Sequence, residues 1–216
     1  MKLYNLMLRC VNIPYSLTES TANFSTERDG GTLYIFFQDS DGADDWQINL
    51  DFPAKAYKRM GRTVWQAHRG FLDAWTRTEP LLAETVMDKS VRKMIITGYS
   101  HGAAIALLCH EYVWFHRPEL RSSLEGYGFG CPKVLWGKKN TDIDQRWERF
   151  TVIRNIDDIV THLPPSFLGY RHVGKMLVIG KEGKYSSLDA HRSENILTEL
   201  KAYCESVDNT AALGNN

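Results

Sequence analysis

Met94-Ile-Ile-Thr97-Gly98-Tyr-Ser100-His-Gly102-Ala-Ala-Ile-Ala106-Leu-Leu108 is the stretch whose reading decides the fold. An apolar, β-branched run ends at Thr97, and a small-residue helical pattern begins at Ala103. Between them Gly98-Tyr-Ser100-His-Gly102 has the G-x-S-x-G pattern of a nucleophile elbow. A strand turning sharply into a helix leaves its corner residue strained, with the side chain projecting outward. Glycines two before and two after remove the Cβ atoms that would clash there. The corner serine then stands at the positive end of the following helix. With Gly and Ser each near 7% of residues, a chain of this length shows the pentapeptide by chance roughly one time in fourteen. The strand before it and the helix after it therefore carry the argument.

Outward from the elbow, strands and helices alternate, which predicts an α/β class with a mixed central sheet flanked by helices. Before it, Leu3 to Val11 suits a short helix, and Phe24 to Arg28 and Thr32 to Gln38 suit two strands joined at Asp29-Gly-Gly31. Trp46 to Phe52 alternates as an extended segment, and Lys55 to Arg62 reads as a solvated basic surface. Gly70 to Arg77 begins a helix that Thr78-Glu-Pro80 restarts, with Thr as cap and Pro in the first turn. After the elbow, strands are expected at Leu124 to Phe129, Phe150 to Arg154 and Met176 to Ile179, with a closing helix from Arg192 to Ser206. Residues 1–207 suit a single layered domain, and 208–216 a frayed tail.

Lysine plus arginine equals aspartate plus glutamate at 26 each, so no global field recruits nucleic acid. No apolar run reaches the length of a membrane span. The residues from Met1 to Cys10 lack a continuous apolar core of the signal-peptide kind. The four cysteines at 10, 109, 131 and 204 are widely spaced, which disfavours zinc and suits free thiols in a reducing compartment. These features point to a cytoplasmic protein with neither metal nor cofactor.

A serine hydroxyl is a poor nucleophile until a base takes its proton, so Ser100 needs a histidine and an orienting carboxylate. Of the seven histidines, only 162, 172 and 191 follow Ser100 outside its helix. Asp157 and Asp158 are neighbouring candidates for the carboxylate.

The chain resembles the class 3 (fungal-type) lipase family in four blocks that occur in order. Phe37-Gln-Asp-Ser40 with Asp45-Trp46 resembles F-R-G-[ST] and N-W, and His68-Arg-Gly-Phe71 resembles H-x-G-F. Gly98 to Gly102 resembles G-H-S-L-G, and Asn155-Ile-Asp-Asp158-Ile-Val-Thr-His-Leu-Pro-Pro165 resembles N-x-x-D-x-V-P-x-L-P-P. The resemblance implies an α/β-hydrolase fold and a serine carboxylic-ester hydrolase, a lipase or esterase acting on a small acyl ester or lipid. It implies Ser100 as nucleophile, Asp158 as carboxylate and His191 as base, with His172 the alternative base. Oxyanion donors would be the amide of His101 and the group at Ser40. Two departures stand out: Gln38-Asp39 replaces the family's Arg-Gly, and His101 replaces the usual Leu or Gln. Acyl transfer or thioester cleavage on the same residues, and a catalytically silent binding module, are the rival readings.

In that family a flap follows the oxyanion loop and opens at an oil surface. Here the corresponding stretch, Asp41 to Phe52, places its apolar residues at period two, and Lys55, Lys58, Arg59 and Arg62 follow it. That pattern leaves little apolar surface for an opened flap. It predicts weak interfacial activation, and contact with lipid surfaces that is at most transient.

Overall fold

The computed structural model describes residues 2–15, 22–38, 53–59 and 61–213. In chain order the elements are α1 (Lys2–Asn12), β1 (Phe24–Asp29), β2 (Thr32–Phe37), β3 (Ala54–Arg59), β4 (Arg62–His68) and α2 (Arg69–Met87). There follow β5 (Lys93–Tyr99), α3 (His101–His116), β6 (Leu124–Phe129), β7 (Leu135–Trp136) and α4 (Thr141–Asp144). β8 (Phe150–Asn155), β9 (Tyr170–Arg171), β10 (Lys175–Ile179) and α5 (Ser193–Leu213) complete the set.

Strand β5 shows why the apolar run before the elbow is central. Met94 and Ile96 face one core and Ile95 the other, and all three are buried. A strand covered on both faces reads as a continuous apolar run, as this one does. β5 pairs in parallel with β2 and β6 inside a six-stranded sheet ordered β1-β2-β5-β6-β8-β10. Only the β1–β2 hairpin is antiparallel, its turn lying at Gly30 and Gly31.

On one face lies α3, whose residues from Gly102 to Val113 are all buried. A helix apolar on every side belongs inside a core. On the other face α1 presents Leu6, Met7 and Cys10, and α5 presents Ile196, Leu200 and Cys204. Both sets follow helical three-and-four spacing, and each fully buried aliphatic side chain contributes about 1.5–3 kcal/mol.

Three sequence expectations are corrected. The basic stretch from Lys55 to Arg62 keeps Lys55, Lys58 and Arg62 exposed but is strand β3 and the start of β4, in a four-stranded antiparallel sheet ordered β3-β4-β7-β9. Tyr57 stacks on Trp65 at 4.3 Å, and Arg59 reaches the buried Glu111 through two hydrogen bonds of 3.0 and 2.7 Å. Arg146 meets the same carboxylate, so Glu111 is buried only because two guanidiniums satisfy it. Second, α2 is a single helix that runs through Pro80. Thr78 does not cap a new helix: its buried hydroxyl donates to the Ala74 carbonyl and accepts from the Ala22 amide. Third, the closing helix, expected to end at Ser206, continues to Leu213.

Candidate active site

The elbow forms as its residue types require. Ser100 has φ of 53°, and among the described residues it is the one non-glycine with positive φ. A Cβ on Gly98 would overlap the Gly102 carbonyl, and one on Gly102 would overlap the carbonyl of Phe37. Any side chain at either position would push β5, α3 and the end of β2 apart. The Ser100 amide donates to the Phe129 carbonyl at 2.9 Å, which ties the corner to β6.

Side chains from after β5, after β8 and from the turn before α5 then meet. The imidazole of His191 lies with Nε2 2.8 Å from Ser100 Oγ and Nδ1 2.9 Å from Asp158 Oδ2. With Nδ1–H donating to the carboxylate, Nε2 is left to accept the serine proton. The second oxygen of Asp158 accepts the Val160 amide at 2.9 Å, and the Thr161 hydroxyl donates to the Asp158 carbonyl at 2.8 Å. Ser100 and Asp158 are fully buried and His191 is 7% exposed, so these bonds act in a weakly screening medium.

The other candidates fall elsewhere. Asp157 turns away and accepts the Gly183 amide. His172 Nε2–H donates to the Thr161 carbonyl at 2.7 Å, bracing the turn that follows Asp158. His162 is an exposed residue that accepts from Arg154, while its carbonyl accepts from Lys133. His101 opens α3, so its amide belongs to the first helical turn, whose N–H groups point out of the helix end. Its ring meets Phe71 edge-on at 5.5 Å. Ser40 and the flap stretch from Asp41 to Phe52 lie outside the described residues.

Sequence reasoning missed Tyr99 and Gly130. The Tyr99 ring stacks on His191, and a Cβ on Gly130 would stand 2.7 Å from His191 Cε1. Tyr99 occupies a variable position of G-x-S-x-G, and Gly130 falls in none of the four blocks, so no motif pointed to either.

Buried imidazoles give the fold an acid limit. Burial holds His101 down to about 4, helped by the nearby His68. Burial likewise takes His172 to about 4 and His110 to about 3. The unfolded chain binds protons near pH 6.5 that the folded chain refuses, so stability is full above that value and falls as pH drops towards 4. Each such group contributes a slope of about 1.4 kcal/mol per pH unit. Urea unfolding at pH 7 and pH 5 is expected to show a loss of several kcal/mol. His172→Gln is expected to reduce that slope by about one proton. A profile flat between those pH values would contradict the burial of these rings.

The model of the family Lipase (class 3) matches residues 34–168, and the chain belongs to that family. Its fold is that of the α/β-hydrolase lipases. A lipase of Rhizomucor miehei is 32% identical over 157 residues, covering 67% of this chain and 40% of that protein. A solved triacylglycerol lipase, whose catalytic centre is described as a serine protease triad, superposes with a TM-score of 0.69 at 25% identity. That match covers 83% of this chain and 78% of the other. A secreted mono- and diacylglycerol lipase of Fusarium solani is 27% identical over 135 residues, 59% of this chain and 38% of the relative. The chain thus spans about two fifths of the length of these curated relatives.

The last relative overturns the cytoplasmic expectation, since it is named as secreted. The free thiols never bore on compartment. Cys10, Cys109, Cys131 and Cys204 are all buried, and burial pushes the Cys109 and Cys131 thiols up, away from the reactive thiolate form. Among the described residues no helix is long and apolar enough to cross a membrane.

Proposed function

We propose that the chain is a serine carboxylic-ester hydrolase acting through an acyl-enzyme on Ser100. The observation that carries this reading is the continuous hydrogen-bonded chain from Ser100 Oγ through His191 to Asp158. His191 Nε2 takes the hydroxyl proton as Oγ attacks the ester carbonyl. The tetrahedral oxyanion is held by the His101 amide and by Ser40, in the role its motif position implies. Collapse expels the alcohol, which leaves with the proton from His191. Water then attacks the acyl-enzyme with the same base and releases the acid. Asp158 keeps the imidazole in the tautomer that leaves Nε2 open, and stabilises the imidazolium that forms.

The substrate is proposed to be a short or medium acyl ester, handled by a single layered domain, with lipid-surface contact at most transient. A panel of p-nitrophenyl esters from acetate to palmitate, run beside Ser100→Ala, tests the reaction class. Hydrolysis equal in the variant would refute it. Tributyrin hydrolysis is expected to rise smoothly through the solubility limit. A sharp jump there would instead show a flap that opens at the oil surface.

A further inference from the structure

The segment that delivers His191 is poorly covered. Residues 180–188 are exposed apart from the half-buried Tyr185, and packing resumes at Ala190. Bonds from Gly183 to Asp157, from Ile159 to the Ser187 carbonyl and from Tyr185 to Glu199 tie this loop to the body, but none of them touches the His191 ring.

We propose that Tyr99 is a positioning residue for His191, its ring seated against the imidazole face and its hydroxyl holding the backbone of the same residue. This rests on the proposed roles of Ser100, His191 and Asp158. The two ring centroids lie 5.3 Å apart with planes inclined by 26°, and the Tyr99 hydroxyl donates to the His191 carbonyl at 2.7 Å. Tyr99 thus grips both the side chain and the main chain of one residue. Gly130 closes the Cε1–Nδ1 edge, where an added Cβ would stand 2.7 and 2.9 Å from those atoms. With Ser100 at Nε2 and Asp158 at Nδ1, the ring cannot turn without breaking a contact on each of these sides.

The placement has a structural logic. Tyr99 ends β5 on the same face as Ile95, in the core shared with α1 and α5, and the next residue is the nucleophile. One strand end therefore fixes the serine and reaches across to the base, so their separation does not depend on the exposed loop. The resembled family motif carries histidine at this position, so the motif match does not assign the tyrosine this role.

The test compares Tyr99→Leu, which keeps apolar bulk without ring or hydroxyl, with Tyr99→Phe, which keeps the ring alone. Both are assayed on p-nitrophenyl butyrate well below their measured Tm, with the rate of fluorophosphonate labelling at Ser100 followed in parallel. Tyr99→Leu is expected to lose about 10- to 100-fold in kcat with KM little changed, since small misplacements of a base cost that much. Labelling should slow by the same factor, and Tyr99→Phe should recover most of it. Wild-type kcat and labelling in Tyr99→Leu would overturn the proposal, as would a rise in KM alone. A Phe variant no faster than Leu would also overturn it, because the stacked ring would then not be the positioning group. Should Tyr99→Leu fail to fold, Tyr99→Met takes its place under the same criteria: wild-type kcat and labelling overturn the proposal, and a loss of about 10-fold or more that Tyr99→Phe largely recovers supports it. Absence of labelling at Ser100 in the wild type would be a different failure, that of the nucleophile assignment itself.

Discussion

Ser100→Ala is expected to fold as the parent does and to lose about three to six orders of magnitude in kcat, or about 4–8 kcal/mol of transition-state stabilisation. The fold should survive because, among the described residues, the Ser100 hydroxyl bonds His191, and the Ser100 amide keeps its bond to Phe129. Alanine also relieves nothing at the corner, since the positive φ of residue 100 is set by β5 and α3 packing around Gly98 and Gly102. Residual turnover would come from oxyanion donors and substrate binding. A fluorophosphonate probe should label the wild-type chain once, at Ser100. Labelling of another serine, or an Ala variant within tenfold of wild type, would remove Ser100 from the mechanism.

How far the sequence disclosed this arrangement depended on whether a feature was local. The elbow was legible because its demands are local: a buried strand, a corner without Cβ neighbours, and a helix of small residues. The motif spacing favours Asp158 over Asp157, and the structure lays Asp158 on His191 and turns Asp157 towards Gly183. What escaped was set by tertiary contact. Lys55 to Arg62 read as solvated because Lys55, Lys58 and Arg62 are indeed exposed, while the partner that draws Arg59 inward, Glu111, lies 52 residues away. Strand β4 did carry a period-two signal at Trp65 and Ala67, both buried, but it was short and bounded by basic residues. Pro80 looked like a helix start because local propensity favours one, whereas burial of Leu82 and Val86 in the same core as Phe71 and Trp75 keeps α2 continuous. Tyr99 escaped for the same reason, its partner lying 92 residues away.

His191→Ala is expected to cost as much as Ser100→Ala, whereas His172→Ala should leave kcat within a few-fold. The difference follows from what each ring touches. His191 bridges Ser100 and Asp158, while His172 bonds the carbonyl of Thr161. Loss of that single hydrogen bond should cost about 0.5–1.5 kcal/mol and lower Tm by a few degrees. Asp158→Asn supplies an independent check on the same chain. The amide retains the shape and can still accept from Val160, but it cannot supply the negative charge that favours Nδ1–H facing it. The imidazole then has no fixed tautomer, and kcat should fall by about four orders of magnitude with KM little altered. Asp157→Asn, whose carboxylate lies on the Gly183 amide, should be nearly silent. The ranking is the test. Were His172→Ala the deeper loss, the base would be His172, and were Asp157→Asn deeper than Asp158→Asn, the carboxylate would be Asp157.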